Sequence, residues 1–237
     1  MADRWDPAVA QTLKEQLALA SRVLYHLGLA DYLGHPSARI PGTDYVVIKP
    51  RHSPDIRGMS EMTSKHMVVV DLECNLVEGD YHPPSETRLH TEIYRARPDV
   101  QAIVHTHQTM STAFAIVGRP MLPLIHNESE LVERPIPIYP SGALITTKER
   151  GERLASALGD HRIVLLRGHG VAVTSTDVKN ALVDTIHLEK LANINYITAQ
   201  LGTPVPLSAE DMEAVKKEKQ PIDGRWAYYT SLVDQNV

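Results

Sequence analysis

The sequence predicts an α/β layer domain whose sheet is at least partly antiparallel. Three observations lead there. Amphipathic helical patterns stand at both ends of the chain. Short Val- and Ile-rich runs are mixed with further helices between them. Several links between those runs are too short for a helical crossover, so the strands they join run antiparallel.

In chain order, residues 9–29 read as an amphipathic helix, with Leu13, Leu17, Ala20, Val23 and Leu24 at helical spacing and Gly28 near its end. GHPSARIPGTDY follows and, being rich in Gly and Pro, is expected to be loop or hairpin. Residues 45–49 and 66–71 are expected strands, and 76–77 a third that pairs with the second across Cys74-Asn75. Ser85 is the expected N-cap of a helix over 86–96, which must stop before Pro98. Residues 100–105 form a strand whose Ala102, Ile103 and Val104 are too apolar for an exposed edge. A helix over 109–116 and strands over 122–125 and 136–139 come next, then a helix over 147–158 ended by Gly159. Strands 163–166 and 171–173 flank an RGHG turn, and helices over 176–201 and 209–219 follow. The aromatic tail holding Trp226, Tyr228 and Tyr229 is expected to pack on the core, cover a site or join a subunit interface.

A chain of 237 residues suits one domain over 1–237, with the tail beginning at about 205. Hydrophobic residues are 43% and charged residues 22%, as in an ordinary globular protein. The formal net charge of -5 offers no bulk attraction to nucleic acid or an anionic membrane. Cys74 is the one cysteine, so no intrachain disulfide forms, which fits a reducing, cytoplasmic setting. No apolar run reaches the roughly 18 residues of a membrane span, and the first residues lack the pattern of a secretory leader. Twelve histidines against a single phenylalanine is the unusual feature, because histidine is the commonest metal ligand and the usual acid or base near neutral pH.

Position decides which histidines matter. His105 and His107 stand two apart at the end of an apolar run, IVHTH, so in a strand both side chains point to one face. Alone, the pair fits core or solvent-facing histidines as well as it fits ligands. His169 lies between Gly168 and Gly170, in a turn where glycine permits backbone angles that can push one side chain inward. Glu86 opens a helix with His90 and Tyr94 on the same face, and serves there as ligand, acid/base or helix-dipole partner. Three imidazoles would leave an open position on a metal ion, as in catalytic sites. With a carboxylate beside them they suit zinc, manganese, cobalt or iron(II).

Together, GHPSAR, PPSETRLHTEIYRARPDVQAIVHTH and RGHGVAV resemble the class II aldolase/adducin family over roughly residues 34–173. The resemblance implies a three-layer α/β/α sandwich with a mixed, largely antiparallel central sheet, and a homotetramer with active sites between subunits. It implies that His105, His107 and His169 bind one divalent metal ion, with Glu86 as the acid/base beside it. The sequence departs from the family's sugar-phosphate aldolases and epimerases. They usually carry Gly-Asn where this chain has Gly34-His35, and paired hydroxyl residues where it has Pro84-Ser85. Part of a phosphate cradle is therefore missing. GHPSAR, IKPRHSP and RGHG are instead similar to a branch that decarboxylates hydroxylated aromatic or pyridine dicarboxylates.

The expected function is a divalent-metal-dependent carbon-carbon lyase that decarboxylates a dihydroxyphthalate-like acid, its hydroxyl and carboxylate chelated by the metal. Arg39 and Arg51 are the expected carboxylate partners, since a guanidinium offers two parallel hydrogen bonds. His35, Ser37, Ser85, His126 and Tyr229 are further expected substrate contacts, with His52 and Arg57 weaker candidates. The alternatives are an aldolase or epimerase acting on a sugar phosphate, and a non-catalytic metal-containing binding domain.

Overall fold

The computed structural model describes residues 4–56, 58–218 and 220–234. Its strands are β1 (His35–Arg39), β2 (Tyr45–Ile48), β3 (Val68–Asp71), β4 (Leu76–Glu78), β5 (Ala102–Thr106), β6 (Ile138–Tyr139), β7 (Ile163–Leu166) and β8 (Gly170–Ser175). Its helices are α1 (Pro7–His26), α2 (Thr87–Ala96), α3 (Thr109–Val117), α4 (Lys148–Leu158), α5 (Val178–Leu201), α6 (Ala209–Lys217) and α7 (Ile222–Thr230). All eight strands join one sheet in the order β4-β3-β2-β1-β5-β8-β7-β6. Each neighbouring pair is antiparallel except β6 and β7, which are parallel.

Period-two alternation divides the strand residues between two helical layers. Val47, Val69, Ala38, Ala102 and Val104 face α1 and α5, where Leu17, Val23, Leu24 and Leu182 complete the core. Val46, Ile48, Val68, Val70 and Ile103 face the other way, onto Leu89, Ile93 and Tyr94 of α2 and Leu154 and Leu158 of α4. A third cluster joins Phe114 of α3 and Leu188 and Leu191 of α5 to β7 and β8. Helices on both faces of the sheet make the expected three-layer α/β/α arrangement. Among the described residues, no helix is long and apolar enough to cross a membrane.

Of the loop or hairpin expected over GHPSARIPGTDY, the hairpin holds: GHPSAR contains β1, which pairs antiparallel with β2 and lies inside the sheet between β2 and β5. Pro36 lacks an N–H, but its carbonyl still accepts from the Lys49 amide at 3.1 Å. Several expected elements differ. Residues 122–125 form no strand, because Leu122 pairs through both backbone groups with the Asn195 side chain on α5 (2.8 and 3.0 Å). The strand expected over 136–139 shrinks to two residues, and the one expected from 66 starts at Val68 after a short 3-10 turn. Ser85 does not cap α2; Glu86 occupies the N-cap position, and its side chain is used elsewhere. The tail contains α7, whose Trp226 and Tyr229, like Val233 beyond it, pack on the α1 side of the core.

Candidate metal centre

Strand β5 carries His105 fully buried at its inner end, and His107 follows just past the strand. The His105 Nδ1–H donates to the Val171 carbonyl on β8 at 2.8 Å. That bond fixes the tautomer and leaves the Nε2 lone pair free, as a metal-ligating imidazole requires. His105 Nε2 and His107 Nε2 lie 3.0 Å apart. Burial, first among the causes, lowers the pKa of both rings, His105 far below the ordinary value, so both are neutral at pH 7.

His169 arrives from the turn between β7 and β8. Gly168 takes a left-handed φ of 71°. Gly170 is needed for space, since a Cβ there would lie 2.3 Å from the Thr106 carbonyl oxygen and 2.9 Å from the His107 ring. The glycines thereby let the turn press against the end of β5. Both His169 ring nitrogens are buried with no hydrogen-bond partner among the described residues. Orphaned nitrogens of this kind call for an explanation, and an ion supplies one.

Glu86, also buried, completes the cluster. Its Oε1 accepts the Ile145 amide at 2.7 Å. Its Oε2 lies 3.4 Å from His169 Nε2 and 3.8 Å from His105 Nε2. Burial pushes the carboxyl up, but His169, His105 and the Ile145 amide outweigh it and hold Glu86 at about 2. One ligand atom from each of Glu86, His105, His107 and His169 falls within 4.8 Å of all the others. The neutral His105 and His107 rings, an ionised carboxylate and the unsatisfied His169 nitrogens make a donor set that fits a divalent cation.

A cavity of about 250 Å³ opens beside the cluster, against His35, Ser85, Glu86 and His107. Its cationic wall is Lys49 and Arg51, with His52 next to them. Lys49 was not among the expected contacts. It ends the apolar run YVVIK, and a cation closing a buried strand was the signal for it. It is 4% exposed, and burial lowers it from 10.5 to about 8. The Ile145 amide carries no side-chain signature and could not have been read from sequence.

Other expected contacts lie elsewhere. Ser37 is fully buried behind His35, bonded to His90 and Tyr94. Arg39 is a correction: its guanidinium lies over the Tyr94 ring (5.1 Å), reaches the Tyr94 carbonyl and Asp44, and lines a separate recess with Gly42 and Pro98. His126 faces Glu218 at 3.3 Å, outside the cavity wall. Tyr229 packs on the core with α7. Arg57 lies outside the described residues.

Known proteins resemble this chain in sequence and in fold. Residues 15–196 match the family model of the Class II Aldolase and Adducin N-terminal domain. The chain is 34% identical, over 90% of its length and 89% of the relative's, to a 3,4-dihydroxyphthalate decarboxylase of Arthrobacter keyseri. It is 32% identical to an L-fuculose phosphate aldolase of Escherichia coli strain K12, over 74% of this chain and 79% of that one. A solved L-fuculose 1-phosphate aldolase superposes with a TM-score of 0.75 at 28% identity, covering 87% of this chain and 95% of that chain.

Proposed function

The chain belongs to the class II aldolase and adducin family, and from that premise we propose that it is a divalent-metal-dependent lyase that decarboxylates a hydroxylated aromatic dicarboxylate of the dihydroxyphthalate type. The observation that carries this reading is the buried Lys49 beside Arg51 on the wall of a cavity that also touches Glu86 and His107. Two cations facing a small cavity suit an aromatic acid with adjacent carboxylates. The similarity to a 3,4-dihydroxyphthalate decarboxylase over most of both chains supports the same substrate class.

In this reading His105, His107 and His169 hold the ion, and Glu86 works beside it. A divalent ion supplies fixed positive charge where negative charge grows during the reaction. Glu86 Oε1 is pinned by the Ile145 amide, so Oε2 is the oxygen left to handle protons. Ionised at neutral pH, it takes the proton of the substrate hydroxyl. The ring–carboxylate bond then breaks, its electron pair stays on the ring and carbon dioxide leaves. The proton held at Oε2 passes to the vacated ring carbon, so charge and atoms balance. Lys49 and Arg51 bind and orient the carboxylate that remains, and Ser85 and His35 complete the wall. We propose further that the protein works as a homo-oligomer, a tetramer by analogy with the family, and that His126 and Tyr229 meet substrate only across a subunit boundary.

A sugar-phosphate aldolase is the second reading, favoured by the similarity to the fuculose phosphate aldolase. One assay separates them. Metal-loaded protein is incubated with a panel of dihydroxyphthalates, pyridine dicarboxylates and sugar phosphates while carbon dioxide and aldehyde are followed. Carbon dioxide from a hydroxylated dicarboxylate is expected. Aldehyde without carbon dioxide overturns the decarboxylase, and silence across the panel with metal confirmed favours a binding domain.

A further inference from the structure

Behind the cavity wall runs a buried chain of hydrogen bonds that the proposed chemistry has not used. The Tyr94 hydroxyl lies 2.9 Å from Ser37 Oγ. Ser37 Oγ lies 2.7 Å from His90 Nδ1. His90 Nε2 lies 2.7 Å from His35 Nδ1. His35 Nε2 then faces the cavity, 4.0 Å from Glu86 Oε2. Ser37 and His90 are fully buried, Tyr94 is 1% exposed, and His35 is 7% exposed.

The hydrogens in this chain have one consistent direction. The buried phenol of Tyr94 must donate its hydrogen, and among the described residues the other group bonded to its oxygen, the Ile103 amide, can only donate. The Tyr94 hydrogen therefore goes to Ser37. Ser37 Oγ has no further hydrogen-bond partner among the described residues, so its own buried hydrogen goes to His90 Nδ1. His90 must then be protonated at Nε2 and donate to His35 Nδ1. A ring nitrogen that accepts a hydrogen bond carries no hydrogen, so each imidazole keeps its one hydrogen on its other nitrogen. His35 is left with its hydrogen on Nε2. Reversing the direction would leave the buried Tyr94 hydrogen without an acceptor, a cost each buried polar group avoids.

The geometry points to Tyr94, Ser37 and His90 as positioning residues that lock His35 in its Nε2–H tautomer, so that it presents a fixed hydrogen-bond donor to a carboxylate of the substrate. The carboxylate half of this inference rests on the decarboxylase reading above. The tautomer half does not. A free imidazole exchanges between an acceptor and a donor at Nε2, and an acceptor would repel an anion. The chain removes that choice before substrate arrives, which is preorganisation of the binding site. It also explains why fully buried polar residues occupy the interior between β1 and α2, where an apolar core would be simpler.

The test uses protein loaded with diamagnetic zinc and labelled with 15N-histidine. Long-range proton–nitrogen spectra report the tautomer of His35 directly. Wild type is expected to show His35 protonated at Nε2. Ser37→Ala should shift His35 toward the Nδ1–H form, and Ser37→Thr, which restores a hydroxyl, should shift it back. His90→Leu, which deletes the donor outright, is the second variant and should give the same loss; circular dichroism and melting establish that each variant folds. On a dihydroxyphthalate substrate, Ser37→Ala should raise KM about tenfold with kcat changed far less. In a His35→Asn background, whose amide cannot change tautomer, Ser37→Ala should leave KM nearly unaltered. A wild-type His35 protonated at Nδ1, or spectra unmoved in both Ser37→Ala and His90→Leu, would overturn the locking. A KM effect equally large in the His35→Asn background would reduce Ser37 to a structural residue. Absence of carbon dioxide release by wild type overturns the carboxylate assignment while the spectra still decide the tautomer.

Discussion

Glu86 divides its two oxygens between structure and chemistry. Oε1 is bonded to the Ile145 amide, while Oε2 faces His169 and His105. Glu86→Gln can keep the amide contact through its carbonyl but cannot move a proton. That variant should bind metal with modest loss while kcat falls by about 10²–10⁴, as metal analysis and steady-state rates will show. A parallel collapse of metal content would make Glu86 chiefly a ligand. Lys49 makes the opposite trade. Its folded pKa of about 8 lies below the ordinary 10.5. The folded state therefore binds fewer protons than the unfolded one between those values, and stability from this group rises with pH across that window. Below pH 8 the folded protein bears the full cost of a buried charge. Lys49→Met should thus stabilise the protein at pH 7 by on the order of 2 kcal/mol, an advantage that shrinks above pH 8, while turnover of the dicarboxylate is lost. Denaturant melts at pH 7 and pH 10 check the sign; a destabilised variant at pH 7 would mean Lys49 is held by more than its bond to the Pro50 carbonyl.

Elements bring these residues together because two of them approach unusually closely. The β7–β8 turn touches the end of β5 at Gly170, where an added methyl would sit 2.3 Å from the Thr106 carbonyl. Backbone cannot yield there as a flexible side chain could. Gly170→Ala should push the turn outward, cost about 1–3 kcal/mol, and weaken metal binding at least tenfold by moving His169 and His107 apart. Wild-type metal affinity in a folded Gly170→Ala protein would show that the turn has slack. Much of this arrangement was legible in the sequence. IVHTH and RGHG announce a strand end and a tight turn, because a period of two and flanking glycines are local properties. The α/β layer class followed from helical patterns at both ends with strands mixed between, and the three-layer sandwich from the family resemblance. What escaped depends on partners far along the chain. GHPSAR left loop and hairpin open, since Pro36 and Gly34 weigh against a strand, and pairing with β2 and β5 on both sides decided for β1. Residues 122–125 looked like a strand, yet Asn195, far along the sequence, takes their backbone bonds. Arg39 looked like a carboxylate clamp, but β1 turns it toward Tyr94 and Asp44.

At the scale of the whole molecule, the chain leaves apolar surface that one copy does not cover. Ile116 and Val117 at the end of α3 are 57% and 71% exposed, and Leu201 and Val205 at and beyond the end of α5 are 83% and 86% exposed. Helices α3 and α5 pack together through Phe114, Leu188 and Leu191, so their apolar ends belong to adjoining elements. Surface of this kind is typical of subunit contacts. His126 and Tyr229 add a second argument. They stand away from this chain's own cavity wall, so the substrate contacts proposed for them require a neighbouring copy. The tetramer proposed above predicts a mass near four times 26.3 kDa in sedimentation equilibrium, and Val117→Asp with Leu201→Asp should lower it. Complementation then tests the site itself. In the proposed site His107→Ala would abolish the metal centre of its own chain, and His126→Ala would remove the residue lent to the next. Each variant alone should be nearly inactive. Unfolded and refolded together, they should regain activity, because some sites then combine an intact His107 with an intact His126 from another copy. No recovery from verified mixed oligomers would confine both residues to one chain, and a fully active His126→Ala would remove it from the site altogether.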